Sequence, residues 1–295
     1  MSVLITGGTG FIGGKVAHAL RARDLAVRAL VRSDTRGARL AAWGCELASG
    51  DMADSASLER AVAGMDTVVH LVSIIAGRPA DFQRVMVDGT ERLVAAAQAA
   101  GVRRFVLMSA LGTSEESKDL VPYYGSKWQM EQCVAASGLE HVVFRPSFVF
   151  GRDGGVLPLF LRQVRWAPVT PIVGNGKQRL QPVWVDDVAA CFAAAVDSPQ
   201  ATGRTFDLCG PDVVTWNELY ARIRRVLGVW RPTVHLPFAL VRPAAGLAEL
   251  LPKPPVTRDQ LTMLGAGDNV GDAHPAVEAF GVDLLPLDEQ LRRAA

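Results

Sequence analysis

Tyr123 and Lys127 are the two residues whose types and spacing point most directly to chemistry. They lie four apart in the stretch PYYGSKW at 122–128, where Pro122 suits the first turn of a helix, so both side chains share one face. A phenol is a poor base near neutral pH because its unperturbed pKa is ~10. A neighbouring ammonium favours the phenolate and lowers that value. Tyr123 can then pass a proton to or from a substrate oxygen while Ser109 holds that oxygen. The spacing alone also fits two surface residues of a helix, so the elements around the pair must carry the argument.

Those elements alternate. Residues 103–109 form an apolar strand with Ser109 at its carboxyl end, which is the ligand side of an open α/β sheet. The chain itself starts SVLITGGTGFIGG at 2–14: a short apolar strand, a glycine-rich turn, then an apolar helical face from Val16 to Leu20. Gly8, Gly10 and Gly13 meet the spacing G-x-G-x-x-G in a strand–turn–helix context. Glycines there allow a tight turn, close approach of backbone N–H groups to a pyrophosphate, and close packing of helix on strand. The helix N-terminus adds unpaired donors and the positive end of its dipole. A dinucleotide site follows.

Further strands are expected at 25–31, 46–51, 67–72, 140–145 and 204–208, with helices at 55–62, 82–100 and 215–227. Asp54 or Ser55 is a plausible cap, and Trp216 and Leu219 point inward. The long helix is interrupted at Asp88-Gly89-Thr90. His70 lies within an apolar strand and reads as a core histidine. The second strand ends on Arg32, with Arg36 just beyond. An acidic residue at that place takes ribose hydroxyls, whereas an arginine suits a 2′-phosphate or stacks on adenine. NADP(H) is therefore the preferred cofactor, with NAD(H) as the alternative.

The fold class expected is α/β: a Rossmann-type doubly wound parallel sheet with a smaller C-terminal α/β lobe. Residues 1–147 form the dinucleotide-binding domain, and 148–295 form mostly a substrate or partner lobe, with 183–208 returning to the core. Residues 238–251 are apolar and helical in composition despite Pro243 and Gly246. Closing the small lobe is the expected role of that stretch, and contact with a partner or with a membrane surface are its alternatives.

Bulk properties exclude several classes. With 295 residues, 49% of them hydrophobic, the chain can bury a sizeable core, and a formal charge of +1 gives no electrostatic case for nucleic acid. The basic runs 103–104 and 222–225 read as solvated element ends. Cys45, Cys133, Cys191 and Cys209 are scattered without metal-ligand spacing, so no metal site is expected and the thiols suit a reducing, cytoplasmic setting. No signal peptide and no uncharged apolar stretch of membrane-spanning length are evident.

Taken with Gly7, Asp51 and Arg145-Pro146, these motifs resemble the short-chain dehydrogenase/reductase superfamily in its extended or atypical branch, which includes nucleotide-sugar epimerases and dehydratases. Three further stretches, FVLMSALG at 105–112, RPSFVFG at 145–151 and QPVWVDDVA at 181–189, together with Cys209-Gly-Pro211 and Leu-Pro repeats near the C-terminus, resemble bacterial relatives of the NAD(P)H-binding accessory subunit of respiratory complex I. The resemblance implies that Gly7, Gly10 and Gly13 hold a pyrophosphate, with Thr9, Phe11 and Ile12 in the same turn. It implies that Arg32 meets the 2′-phosphate, Asp51 and Met52 border the adenine, and Leu71 and Val72 line the ribose side. Tyr123 and Lys127 would hold the nicotinamide ribose and move the proton, and Pro146, Ser147 and Phe148 would close over the nicotinamide.

Two departures bear on activity. Sugar-modifying members usually carry Asn where Met86 stands, and only a short stretch separates Ser109 from Tyr123. Three functions stay open: an oxidoreductase on a small carbonyl or alcohol, an epimerase or dehydratase, and a non-catalytic NADPH-binding sensor or assembly subunit. The resemblance leaves open association with a respiratory complex or with the inner face of a membrane, and a monomer or homodimer.

Overall fold

The computed structural model describes residues 1–249, 251 and 256–295. Two compact units emerge: Met1–Pro146 with Val185–Leu208 and Asp272–Asp283, and Ser147–Trp184 with Cys209–Gly271 and Leu284–Ala295.

The first unit is built on a seven-stranded sheet. Its elements are β1 (Ser2–Thr6), α1 (Phe11–Ala22), β2 (Ala26–Val31), α2 (Asp34–Ala42), β3 (Glu46–Ser49), α3 (Ser55–Val62) and β4 (Thr67–His70). Then come α4 (Pro79–Phe82), a π-helical turn (Gln83–Val87), α5 (Asp88–Ala99), β5 (Arg104–Met108), α6 (Pro122–Ala136) and β6 (Glu140–Pro146). Later in the chain α7 (Val185–Ala195), β7 (Arg204–Leu208) and α8 (His274–Phe280) return to it. The strand order is β7-β6-β5-β4-β1-β2-β3, and every pairing is parallel. That is the doubly wound Rossmann arrangement, with its reversal of direction between β1 and β4. Every residue of β4 and β5 is buried, as expected where helices cover both faces of a parallel sheet.

Two details differ from the expectations. The long helix breaks at the π turn just before Asp88 and not at Asp88–Thr90 itself. Arg104, expected in solvent, is only 1% exposed. Its guanidinium donates to the carbonyls of Ala195 and Ser198 at 2.7 Å and pairs with Glu140 at 2.8 Å. A buried charge persists only when so many partners replace its hydration. Arg103 does stay at the surface, paired with the same Glu140.

The second unit packs helices Leu157–Trp166, Trp216–Leu227 and Leu287–Ala294 around a core that includes Phe150, Leu161, Trp184, Trp216, Tyr220 and Leu291. Thr215 caps the second of these helices in a capping box with Glu218, and Gly228 ends it at φ 64°. A parallel pair joins Thr170–Val173 to Thr233–Leu236, and the helix Phe238–Ala248 follows directly. The expected helix ran to 251; Leu250 lies outside the described residues. None of the four cysteines is in a disulfide. Among the described residues no cluster of His, Cys, Asp and Glu could hold a metal, and no helix is long and apolar enough to cross a membrane.

Candidate active site

The turn between β1 and α1 is shaped by what glycine alone permits. Gly7 has φ +76°, and a Cβ there would stand 2.8 Å from the carbonyl carbon of Leu71, just past the end of β4. At Gly13 a Cβ would meet the Gly7 carbonyl oxygen at 2.1 Å, so the first turn of α1 lies against the loop with no room for a side chain. Gly8 is less constrained, with a flexible Leu40 methyl at 3.2 Å as its nearest neighbour. The stringent positions are therefore Gly7 and Gly13. Gly10 is the cap of α1, and no acidic residue occupies the first turn of that helix to compete for an anion.

Beside this turn lies a cavity of about 380 Å³. Gly7, Thr9 and Gly10 form one wall, Arg32, Asp51 and Met52 another, and Leu71 and Val72 a third. Phe11, Ile12 and Gly13 continue from that turn as the start of α1. The cradle fits a dinucleotide: a wall built largely of glycine backbone, helix N–H groups, and cationic side chains at one edge. The cavity also takes in residues that the sequence reading did not assign, among them Arg36, Ser73, Ile74, Arg84 and Val85. Arg36 was visible one turn beyond Arg32. Nothing local marked Arg84 and Val85, because the π turn that carries them is a tertiary feature.

Lys127 links the elements that carry the candidate catalytic side chains. Its ammonium donates to the carbonyl of Met108 at 2.7 Å, which ties α6 to the residue before Ser109 at the carboxyl end of β5. The Tyr123 ring lies one turn back, its centroid 5.9 Å from Lys127 Nζ. Ser109 is buried, its amide donating to Phe144 O at 2.6 Å and its hydroxyl 3.5 Å from Thr113 Oγ1. Ser73 reaches from the cavity wall toward the Tyr123 phenol; it favours the phenolate but makes no hydrogen bond of good geometry. Pro146 ends β6 and accepts from the Leu111 amide at 2.9 Å. Ser147 and Phe148 belong to the second unit, where the Ser147 hydroxyl donates to Gln181 O and Phe148 meets Trp216 edge-on.

In the protein alone, burial pushes the Tyr123 phenol up to about 12, with Ser73 opposing it. Burial also pulls the Lys127 ammonium down to about 7, against the pull of Glu131. Desolvation disfavours both charged forms, and at 5.9 Å from the ring the ammonium is already engaged with a carbonyl. Burial thus favours the protonated form of the Tyr123 phenol.

His70 closes β4 with both ring nitrogens partnered, at 2.6 Å from Thr6 Oγ1 and 3.0 Å from Thr90 Oγ1. Thr90 in turn donates to Met86 O at 2.5 Å, and the Met86 side chain is core. This chain clamps the ends of β1 and β4, the switch point of the sheet, to the π turn. Burial first, and then Lys127, hold the imidazole down to about 3. Protonation is thus confined to the unfolded chain, whose His titrates near ~6.5. The neutral ring contributes stability that is full above that value and shrinks as pH falls toward the folded pKa. By pH ~5 the loss should reach about 2 kcal/mol. Urea melts at pH ~7.5 and ~5 should show that difference shrink in His70→Gln; an unchanged difference would remove His70 as its source.

Fold and cradle together define a dinucleotide-binding α/β protein, and the chain belongs to the NAD dependent epimerase/dehydratase family, whose model matches residues 3–209. That places it in the extended short-chain dehydrogenase/reductase group of NAD(P)-binding oxidoreductases and epimerases. It is 30% identical to a ceramide reductase of Caulobacter vibrioides (strain NA1000 / CB15N), over 84% of this chain and 77% of that protein. It is 31% identical to the mitochondrial NADH dehydrogenase [ubiquinone] 1 alpha subcomplex subunit 9 of Rattus norvegicus, over 82% of this chain and 66% of that one. A solved UDP-glucose 4-epimerase of Thermotoga maritima superposes with TM-score 0.79 at 20% identity, covering 100% of this chain and 97% of its own, a likeness of fold.

Proposed function

We propose that this protein is an NADP(H)-dependent reductase of a carbonyl substrate. The observation that carries this reading is the Tyr123 ring held one helical turn from Lys127, which is itself anchored to the strand end that bears Ser109. A phenol that keeps its proton at physiological pH is suited to give it away, which is what a reduced carbonyl oxygen needs. Bound NADPH supplies the hydride that the carbonyl carbon accepts. Tyr123 Oη donates its proton to the carbonyl oxygen, and the positive charge of Lys127 stabilises the phenolate left behind. Ser109 Oγ donates to the same oxygen and orients it. Gly7, Gly10 and Gly13 with the α1 N-terminus hold the pyrophosphate, Arg32 the 2′-phosphate, and Asp51 and Met52 the adenine side. Similarity to a ceramide reductase supports reduction over epimerisation, as do Met86 and the short Ser109–Tyr123 connection. Net oxidation of NADPH in the presence of carbonyl substrates tests the reading, because an epimerase regenerates its cofactor and consumes none.

A second reading rests on the similarity to subunit 9: tight NADPH binding as a structural or sensing ligand, within a larger assembly and without turnover. Stoichiometric retained cofactor with no consumption on any carbonyl would favour it.

Cofactor choice has its own test. Arg32→Asp should weaken NADPH by about 2 kcal/mol, the worth of a charge-assisted hydrogen bond, and leave NADH nearly unchanged. Isothermal titration with both cofactors checks this; equal losses would mean that Arg32 stacks without selecting.

A further inference from the structure

We infer that the second unit docks on an anionic lipid surface through the helix Phe238–Ala248 and the tryptophan-edged strand pair that leads into it. This inference is independent of the reductase reading.

The helix is inverted for a globular protein. Ala245 is buried, whereas Leu240 and Leu247 are 69% and 70% exposed, and Pro243 and Ala244 between them are exposed as well. Positions 240, 243, 244 and 247 fall on one face at helical spacing, so an apolar stripe points outward, with Leu251 exposed just beyond. The strand Thr233–Leu236, which precedes the helix, exposes Val234. At the other end of that strand pair stand Trp166 and Trp230, 77% and 80% exposed. Arg231 donates to the main-chain oxygen of Arg165 at 3.3 Å, which brings the two Trp-Arg corners together. Exposed aliphatic stripes flanked by tryptophan and arginine are the composition of interfacial helices and their anchors.

Charge selects the occupant. The second unit carries 14 Lys and Arg against eight Asp and Glu, whereas the first carries 17 against 22. Net charges of +6 and −5 are thus hidden inside a chain total of +1. Within the second unit Asp212, Glu249, Asp268, Asp288 and Glu289 are paired with Arg179, Arg222, Arg258, Arg292 and Arg293. Among the described residues, Arg162, Arg165, Arg225, Arg231 and Arg242 have no side-chain carboxylate in ion-pair range, and three of these flank the two tryptophans or the stripe. Arg165, Arg231 and Arg242 donate only to neutral or main-chain oxygens, of Ala295, of Trp230 and Arg165, and of Thr262. An apolar face beside guanidiniums without side-chain carboxylate partners matches a bilayer with anionic headgroups, which takes the leucines below its surface and the arginines at it.

The full chain should co-sediment with phosphatidylcholine vesicles doped with phosphatidylglycerol, and at least about tenfold less with pure phosphatidylcholine. Its tryptophan emission should move to the blue on the anionic vesicles, a readout that needs no variant. L240S/L247S and W166S/W230S should each lower vesicle binding about tenfold or more, with far-UV circular dichroism and dinucleotide binding retained. Added salt should weaken binding in the unaltered protein. The inference is overturned by absence of binding to anionic vesicles near physiological salt, or by binding that both double variants leave intact. It is equally overturned if light scattering finds a dimer that L240S/L247S converts to monomer, since a second copy of the chain then covers the stripe.

Discussion

Gly10→Val should cost the protein at least about 100-fold in dinucleotide affinity, or about 3 kcal/mol, while leaving it folded. Gly10 has φ −78° and ψ 175°, extended backbone that a valine adopts freely. Its added Cβ would lie 3.2 Å from the Gly7 oxygen, a contact that small movements relieve. The methyl groups, however, would stand in the wall that Gly7, Thr9 and Gly10 present to the cavity, where a pyrophosphate must approach backbone N–H groups. Gly13→Ala is the contrasting case. There the Cβ would sit 2.1 Å from a backbone oxygen, so α1 must move off the turn and the thermal midpoint should fall with affinity. Calorimetric titration of a Gly10→Val chain with native circular dichroism decides the matter, and normal affinity would remove this turn as the site.

Tyr123→Phe is expected to lower turnover by roughly 100-fold or more with cofactor affinity almost unchanged. The ring keeps its packing against the core and only the proton carrier is lost. Lys127→Met should harm both binding and turnover, and also loosen α6 from β5, because the Met108 carbonyl loses its donor. The pH profile offers a second readout. Burial holds the phenol at about 12 and the ammonium at about 7, and the step needs both groups protonated, so the high-pH fall of any reductase profile should follow Lys127 and that limb should be lost in Lys127→Met. If Tyr123→Phe instead leaves NADPH consumption at its original rate, the reductase assignment fails, and the subunit-like reading takes its place.

The doubly wound core could be read from residues alone because its signals are local. Three glycines at fixed spacing, apolar runs too continuous for one-sided strands, and Asp54 before an apolar helix each carry their own geometry; Asp54 does accept from the Ala56 amide at the start of α3. The Tyr123–Lys127 pair was legible for the same reason, since a four-residue step on a helix needs no tertiary knowledge. What the chain's local chemistry could not express was solvation. Arg104 reads as a surface charge until two distant carbonyls and Glu140 enclose it. The Tyr123 phenol reads as lowered by its neighbour, whereas burial in the folded chain pushes it up. Ser73, Arg84 and Val85 reach the cavity only because the β4 loop and a π turn meet there, which no spacing encodes. The stretch 238–251 reads as closing a lobe, with a partner or membrane contact as its alternatives, and only the packed structure turns Leu240, Leu247 and Leu251 outward. Sequence by itself determined the order of elements and the residue types at the strand ends. Tertiary structure decided which of those groups lost their water, because desolvation depends on atoms far away in the chain, and with it which proton Tyr123 keeps and which face the molecule leaves uncovered.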